Sequence, residues 1–225
     1  MGEAIGQVLP MAVGVAISPI PIIAVILMLV TRQGRVNGPA FVLGWLIGLA
    51  LIGILVIGVA GGVGASSGGE PATWVLVLEL VLGSLLLLVA LRQFRSRPNR
   101  GDAGETPSWM GAIDAFTPGR ALGAGALLSG LNPKNLLLAV GAAATIAQMS
   151  IDMGQQAVAY FVFAFIATIG VAAPVAIFFA LGDRAPALLE RMKAWMGHNN
   201  AVIMTILCLI IGVKLIGQAL GGLTA

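Results

Sequence analysis

Charge is scarce in this 225-residue sequence: Asp, Glu, Lys and Arg together make up 9% of it, against roughly a quarter of an ordinary soluble domain. With so little charge, water cannot be the main solvent of the folded chain. Cysteine occurs once, at Cys208 within an apolar stretch, so no disulfide or zinc framework can form inside one chain and no C-x-x-C supports thiol chemistry. The one histidine, His198, lies at the edge of an apolar run, and Glu79 is the one acid embedded in such a run. Hard and borderline cations require clustered carboxylates, imidazoles or thiolates, and acid–base catalysis requires paired groups at one depth. Neither pattern is present, so the expectation is no metal, no cofactor and no enzymatic activity.

What the sequence has in abundance is apolar length. Hydrophobic residues reach 59% and the mean hydropathy is +1.02. They fall into stretches of about 18 residues or more, each able to cross a hydrocarbon core roughly 30 Å thick as a helix. The breaks give six expected spans, near 4 to 30, 40 to 62, 73 to 91, 121 to 147, 157 to 181 and 200 to 221. The N-terminus lacks a basic segment and a small-residue cleavage site, so its apolar run reads as the first span rather than a signal peptide. The longest polar stretch, Arg92 to Arg120, is expected to be a loop. The organisation is therefore a first unit at 1–91, a linker at 92–120 and a second unit at 121–225.

The net charge of +3 and isoelectric point near 9.6 reflect membrane topology rather than nucleic-acid binding, because the basic residues sit at span ends. Arg32 and Arg35, then Arg92, Arg95, Arg97, Arg100 and Arg120, then Arg184, Arg191 and Lys193 all follow odd-numbered spans. The opposite side holds no Lys or Arg. By the positive-inside rule these loops are cytoplasmic and both termini lie outside.

Two spans carry proline at their middle, in Ser18-Pro19-Ile20-Pro21 and in Asn132-Pro133-Lys134-Asn135, and a shift of 114 positions lays one motif on the other. Three spans per half is an odd number, so tandem halves enter the membrane in opposite directions, as the inverted repeats of many secondary transporters do. The expected fold is thus all-helical, two inverted three-helix repeats with broken first and fourth helices. Pro19, Pro21 and Pro133 have no N–H to offer the carbonyls of Val15, Ile17 and Ser129, while Ser18 and Asn132 are favoured N-cap residues. Each motif reads as the start of a new half-helix whose partly positive N-terminus points into the centre.

Lys134 adds a full charge at that depth, costing roughly 2.5 to 3.5 kcal/mol on insertion scales, so it must face the bundle interior and find a partner. Two readings stand. One is an anion site for phosphate, sulfate or carboxylate, built from Lys134, Ser18, Asn132, Asn135 and freed backbone N–H groups. The other has Lys134 bonding the free carbonyls of the first span and tying the two breaks together. Glu79 and Lys214 both lie roughly 10 Å below the outer surface at 1.5 Å per helical residue, as a structural ion pair, a gate or proton relay, or a lysine reaching outward. Arg184 to Met196 and Ser108 to Phe116 have the spacing of helices lying on the cytoplasmic surface. Gly44/Gly48, Gly58/Gly62 and Gly217/Gly221 stand at G-x-x-x-G spacing, and Pro174 is placed to kink the fifth span.

The Ser18-Pro19-Ile20-Pro21 element, the lead-in Trp109…Asp114…Phe116-Thr117-Pro118-Gly119-Arg120-Ala121 and Asn132-Pro133-Lys134-Asn135-Leu136 together resemble the GAP family of glycopeptidolipid- or sulfolipid-addressing proteins, within the lysine-exporter superfamily. The resemblance covers essentially the whole chain. It implies export of large glycolipids or other lipid-linked envelope components in actinobacteria, with membrane lipids and an anionic or glycolipid substrate as partners, in a homodimer or a larger lipid-export system. The substrate-binding motif it implies falls on Ser18, Pro19, Pro21, Asn132, Pro133, Lys134 and Asn135. Export of an amino acid or other small metabolite, as elsewhere in the superfamily, and a role as accessory subunit of a larger lipid transporter are the alternatives.

Overall fold

The computed structural model describes residues 1–63, 66–67, 70–95 and 115–224. Arg97, Arg100, Trp109, Asp114 and nearly all of the surface helix expected at 108–116 lie outside the described residues. The described residues are almost wholly α-helical: α1 (Gly2–Ala16), α2 (Pro19–Leu29), α3 (Gly34–Val63), α4 (Thr73–Arg95), α5 (Pro118–Gly130), α6 (Pro133–Ala147), α7 (Met153–Leu181) and α8 (Ala185–Thr224). A two-residue antiparallel pairing of Ser66–Ser67 with Glu70–Pro71 lies between α3 and α4.

The order repeats. A short helix, a proline break, a second short helix and two long helices occur in α1–α4 and again in α5–α8. The packing is reciprocal as well: α1 lies on α7 and α5 on α3, α2 on α8 and α6 on α4, while α4 and α8 pack on each other. These contacts are close because glycine lines them. A Cβ on Gly44 would sit 1.9 Å from the Leu122 carbonyl oxygen, and one on Gly125 2.1 Å from that of Phe41, so α3 and α5 touch backbone to backbone. Gly48 belongs to the same seam, whereas Gly58 and Gly217 meet no neighbour and their motifs do not mark contacts there. Phe41, Trp45, Leu49, Tyr160 and Phe163 fill the adjoining core, and the Tyr160 hydroxyl donates to the Leu49 carbonyl at 2.9 Å.

The helix lengths bear on the expected spans. By length and apolar character, Gly34–Ala60, Thr73–Arg95 and the run Met153–Thr224 qualify as spans, and α1 with α2, bent by 50°, qualifies as a fourth only when taken as a pair. The stretch expected as the fourth span is divided at Asn132-Pro133, where the break was expected, into α5, of 13 residues, and α6, of 15, each too short to cross alone. The surface helix expected at 184–196 is not separate: α8 runs unbroken for 40 residues. The polar Gly197-His198-Asn199-Asn200 stretch contains no proline, and Asn199 Nδ2 donates back to the Trp195 carbonyl at 2.8 Å, so the helix continues through it.

Candidate functional site

Both breaks form where a proline-led helix restarts. Ser18 is extended (φ −99°, ψ 104°) ahead of Pro19, and Asn132 is extended (φ −65°, ψ 118°) ahead of Pro133. The two residues then diverge. Asn132 caps α6, its Oδ1 accepting from the Lys134 N–H at 3.2 Å, whereas the Ser18 side chain makes no cap bond and turns into the bundle.

There it meets the other motif. Lys134 Nζ donates to the Gly14 carbonyl oxygen at 2.6 Å and to Ser18 Oγ at 2.5 Å. Ser18 Oγ in turn donates to Asn135 Oδ1 at 2.8 Å, and Asn135 Nδ2 donates to the Leu128 carbonyl at 3.1 Å. Ser18, Lys134 and Asn135 are at most 2% exposed. The proline motifs lead one to expect free carbonyls at Val15 and Ser129. The side chains instead serve Gly14 and Leu128, one residue earlier, because Ser18 and Asn132 have left helical geometry and no longer supply those carbonyls with N–H partners. Gly14 and Leu128 are themselves 114 positions apart.

Electrostatics explains the lysine's reach. In the first turn of α6 a cation opposes the helix dipole, while the C-terminal end of α1 presents the partial negative charge of its unpaired carbonyls. The Lys134 side chain spans from one to the other, so a single ammonium joins the two breaks. Pro19 and Pro21 are buried in the first turn of α2. Pro133 is exposed and faces outward, onto a groove of about 550 Å³ between α4 and α6. Leu85, Leu88, Leu136 and Leu137 line that groove, and Arg92 and Arg95 stand on the α4 side of it.

Glu79 and Lys214 are brought to neighbouring positions on the packed helices α4 and α8, but no ion pair joins them. Glu79 Oε1 accepts from Thr145 Oγ1 at 3.0 Å and from Gln148 Nε2 at 2.9 Å, and Lys214 Nζ donates to the Gln7 carbonyl. Gln218 Nε2 donates to Gln7 Oε1 at 2.9 Å. Sequence reasoning overlooked Gln7, Gln148 and Gln218. Their signal was present all the same: uncharged polar side chains within or at the edge of apolar runs, each of which needs a partner.

Among comparisons with known proteins, the family model described as Sap, sulfolipid-1-addressing protein, matches residues 8–221. No curated protein and no solved structure matches the chain.

Proposed function

The chain belongs to the sulfolipid-1-addressing protein family, and from that membership we propose that it exports an anionic, lipid-linked envelope component, of glycolipid type, across a bacterial plasma membrane. The observation that carries this reading is the α4–α6 groove. It is apolar along its leucines, has two arginines on one wall, and ends against Pro133, the residue preceding the buried lysine. Its two kinds of lining match the two parts of an anionic lipid: acyl chains against Leu85, Leu88, Leu136 and Leu137, and a charged head beside Arg92 and Arg95. A free amino acid has no use for such an apolar wall, so the groove favours the lipid over the small-solute alternative.

In this reading the chain crosses the membrane six times. α1–α2 and α5–α6 are broken spans, and the run Met153–Thr224 is two passes that turn at Gly182, where φ is +51°. The repeated element order, the reciprocal packing and the paired carbonyls at Gly14 and Leu128 support two inverted repeats, 1–91 and 121–225, related about the α4–α8 contact. The basic residues at the C-terminal end of α4 and around the α7–α8 turn support cytoplasmic loops and external termini.

The substrate-binding residues are Ser18, Pro19, Pro21, Asn132, Pro133, Lys134 and Asn135. With Lys134 bonded to Gly14 and Ser18 the centre is closed. An anionic head group that enters past Pro133 replaces those acceptors, and the freed carbonyl of α1 lets the two halves part. A hydrogen bond to a charged group is worth about 1.5–3 kcal/mol, so the exchange of one acceptor for another is close to balanced, as an alternating-access step requires. The test is a comparison of surface lipids and intracellular metabolites between a deletion strain and the same strain complemented with the wild-type chain. Retention of one envelope glycolipid inside the deletion strain supports lipid export. Unchanged lipids with accumulated amino acids identify a small-solute exporter instead.

A further inference from the structure

A second polar region lies away from the broken helices. Gln7 and Gln148 line a cavity of about 400 Å³ between the start of α1 and the end of α6, together with Glu3 and Ser150. Each of these glutamines also holds one of the embedded charges: Gln148 Nε2 donates to Glu79 Oε1, and the Gln7 carbonyl accepts from Lys214 Nζ. Glu79 is 0% exposed, and its second oxygen, Oε2, has no partner among the described residues.

We propose that Glu79 is a proton-binding site that exchanges with the compartment onto which this cavity opens. A proton from cavity water passes Gln148 and joins the carboxylate at Oε2, giving the neutral acid, and it leaves by the same route. The geometry accommodates the proton at one oxygen. Thr145 and Gln148 both donate to Oε1, so that oxygen is held as an acceptor, while the bare Oε2 is left to carry a hydroxyl. The charged groups that face the site are Lys214 from α8 and, across the cavity, Glu3 from α1; α6 and the residue after it contribute only the neutral Thr145 and Gln148. A metal or alkali cation fits poorly, because Oε1 is already met by two donors and a second cation would be repelled by Lys214.

The test uses the proton itself as ligand and needs no transport substrate. The full chain in lipid nanodiscs is subjected to a pH jump while infrared difference spectra follow the carbonyl stretch of a neutral carboxylic acid. A band that disappears as pH rises, is missing from Glu79→Gln and is kept, shifted, by Glu79→Asp supports the site. Ser150→Trp, which fills the cavity without touching Glu79, should slow the change several-fold at unchanged amplitude. A spectrum with no Glu79-dependent band over the range where the chain stays folded overturns the proposal, as does a rate that Ser150→Trp leaves unaltered.

Discussion

The two polar clusters buried in this bundle differ in how completely their atoms are matched. At the helix breaks the Ser18 hydroxyl, the Lys134 ammonium and the Asn135 amide each find partners, and two main-chain carbonyls are served as well. Between α4, α6 and α8 the match is partial: Glu79 Oε2, Gln148 Oε1 and Gln218 Oε1 have no partner among the described residues, and a polar cavity adjoins Gln148. A fully matched network holds one arrangement firmly, and rearranging it requires a ligand that can substitute for its acceptors. A partly matched one leaves an oxygen open to a proton. In the reading proposed above, the first cluster recognises a charged substrate and the second exchanges a proton.

Substitutions that unmatch each cluster should break this comparison if it is wrong. Asn135→Leu leaves both the Leu128 carbonyl and the Ser18 hydroxyl short of a partner, at about 1–3 kcal/mol for each buried group. It should give the largest fall in thermal unfolding temperature of the purified chain. Glu79→Gln keeps the shape and removes a carboxylate whose second oxygen was unmatched, so it should lower stability by less than Asn135→Leu in the same melting experiment. Its effect should instead appear in transport. Wild-type export should fall as pH on the cavity side rises and Glu79 loses its proton, by no more than about one decade per pH unit for a single site, whereas Glu79→Gln should be insensitive to that pH.

The groove arginines sharpen the picture at smaller amplitude. Arg92→Gln and Arg95→Gln each remove an exposed charge worth about 0.2–1 kcal/mol, so each should reduce export by no more than about fivefold. That loss should shrink when ionic strength is raised. The smallest effect belongs to Gly58→Ala, a control that leaves both clusters and all helix contacts intact: nothing lies within 4 Å of a Cβ there, and the melting temperature should be unchanged or slightly higher. Gly44→Ala, by contrast, forces α3 off Leu122 of α5 and should cost about 1–3 kcal/mol.

The breaks were legible in the sequence because proline's missing N–H and the small polar residue before it are local properties. So was the need of Lys134 for an internal partner, since no acid shares its depth. Which carbonyls the side chains reach was not legible, because that depends on how far Ser18 and Asn132 depart from helical geometry before each proline. Nor was it legible that the Ser18 side chain would make no cap bond and turn into the bundle instead; that follows from how α1 and α6 pack, which brings Lys134 to Gly14 and Ser18. The partners of Glu79 and Lys214 escaped for the same reason. Equal depth suggested that the two charges would meet, but the rotation of α4 and α8 about their axes gives Glu79 to α6 and Lys214 to α1. Sequence periodicity fixes which face of a helix is polar, not which neighbour that face finds.

Export by Lys134→Ala decides whether that lysine meets the substrate or only ties the helix breaks together. Surface glycolipid is measured in a deletion strain that carries the variant at wild-type membrane abundance. The lipid should stay inside this strain, as it should in the strain with no complementing chain. Wild-type surface levels would contradict it, leaving Lys134 as a structural tie between the helix breaks and placing the substrate elsewhere.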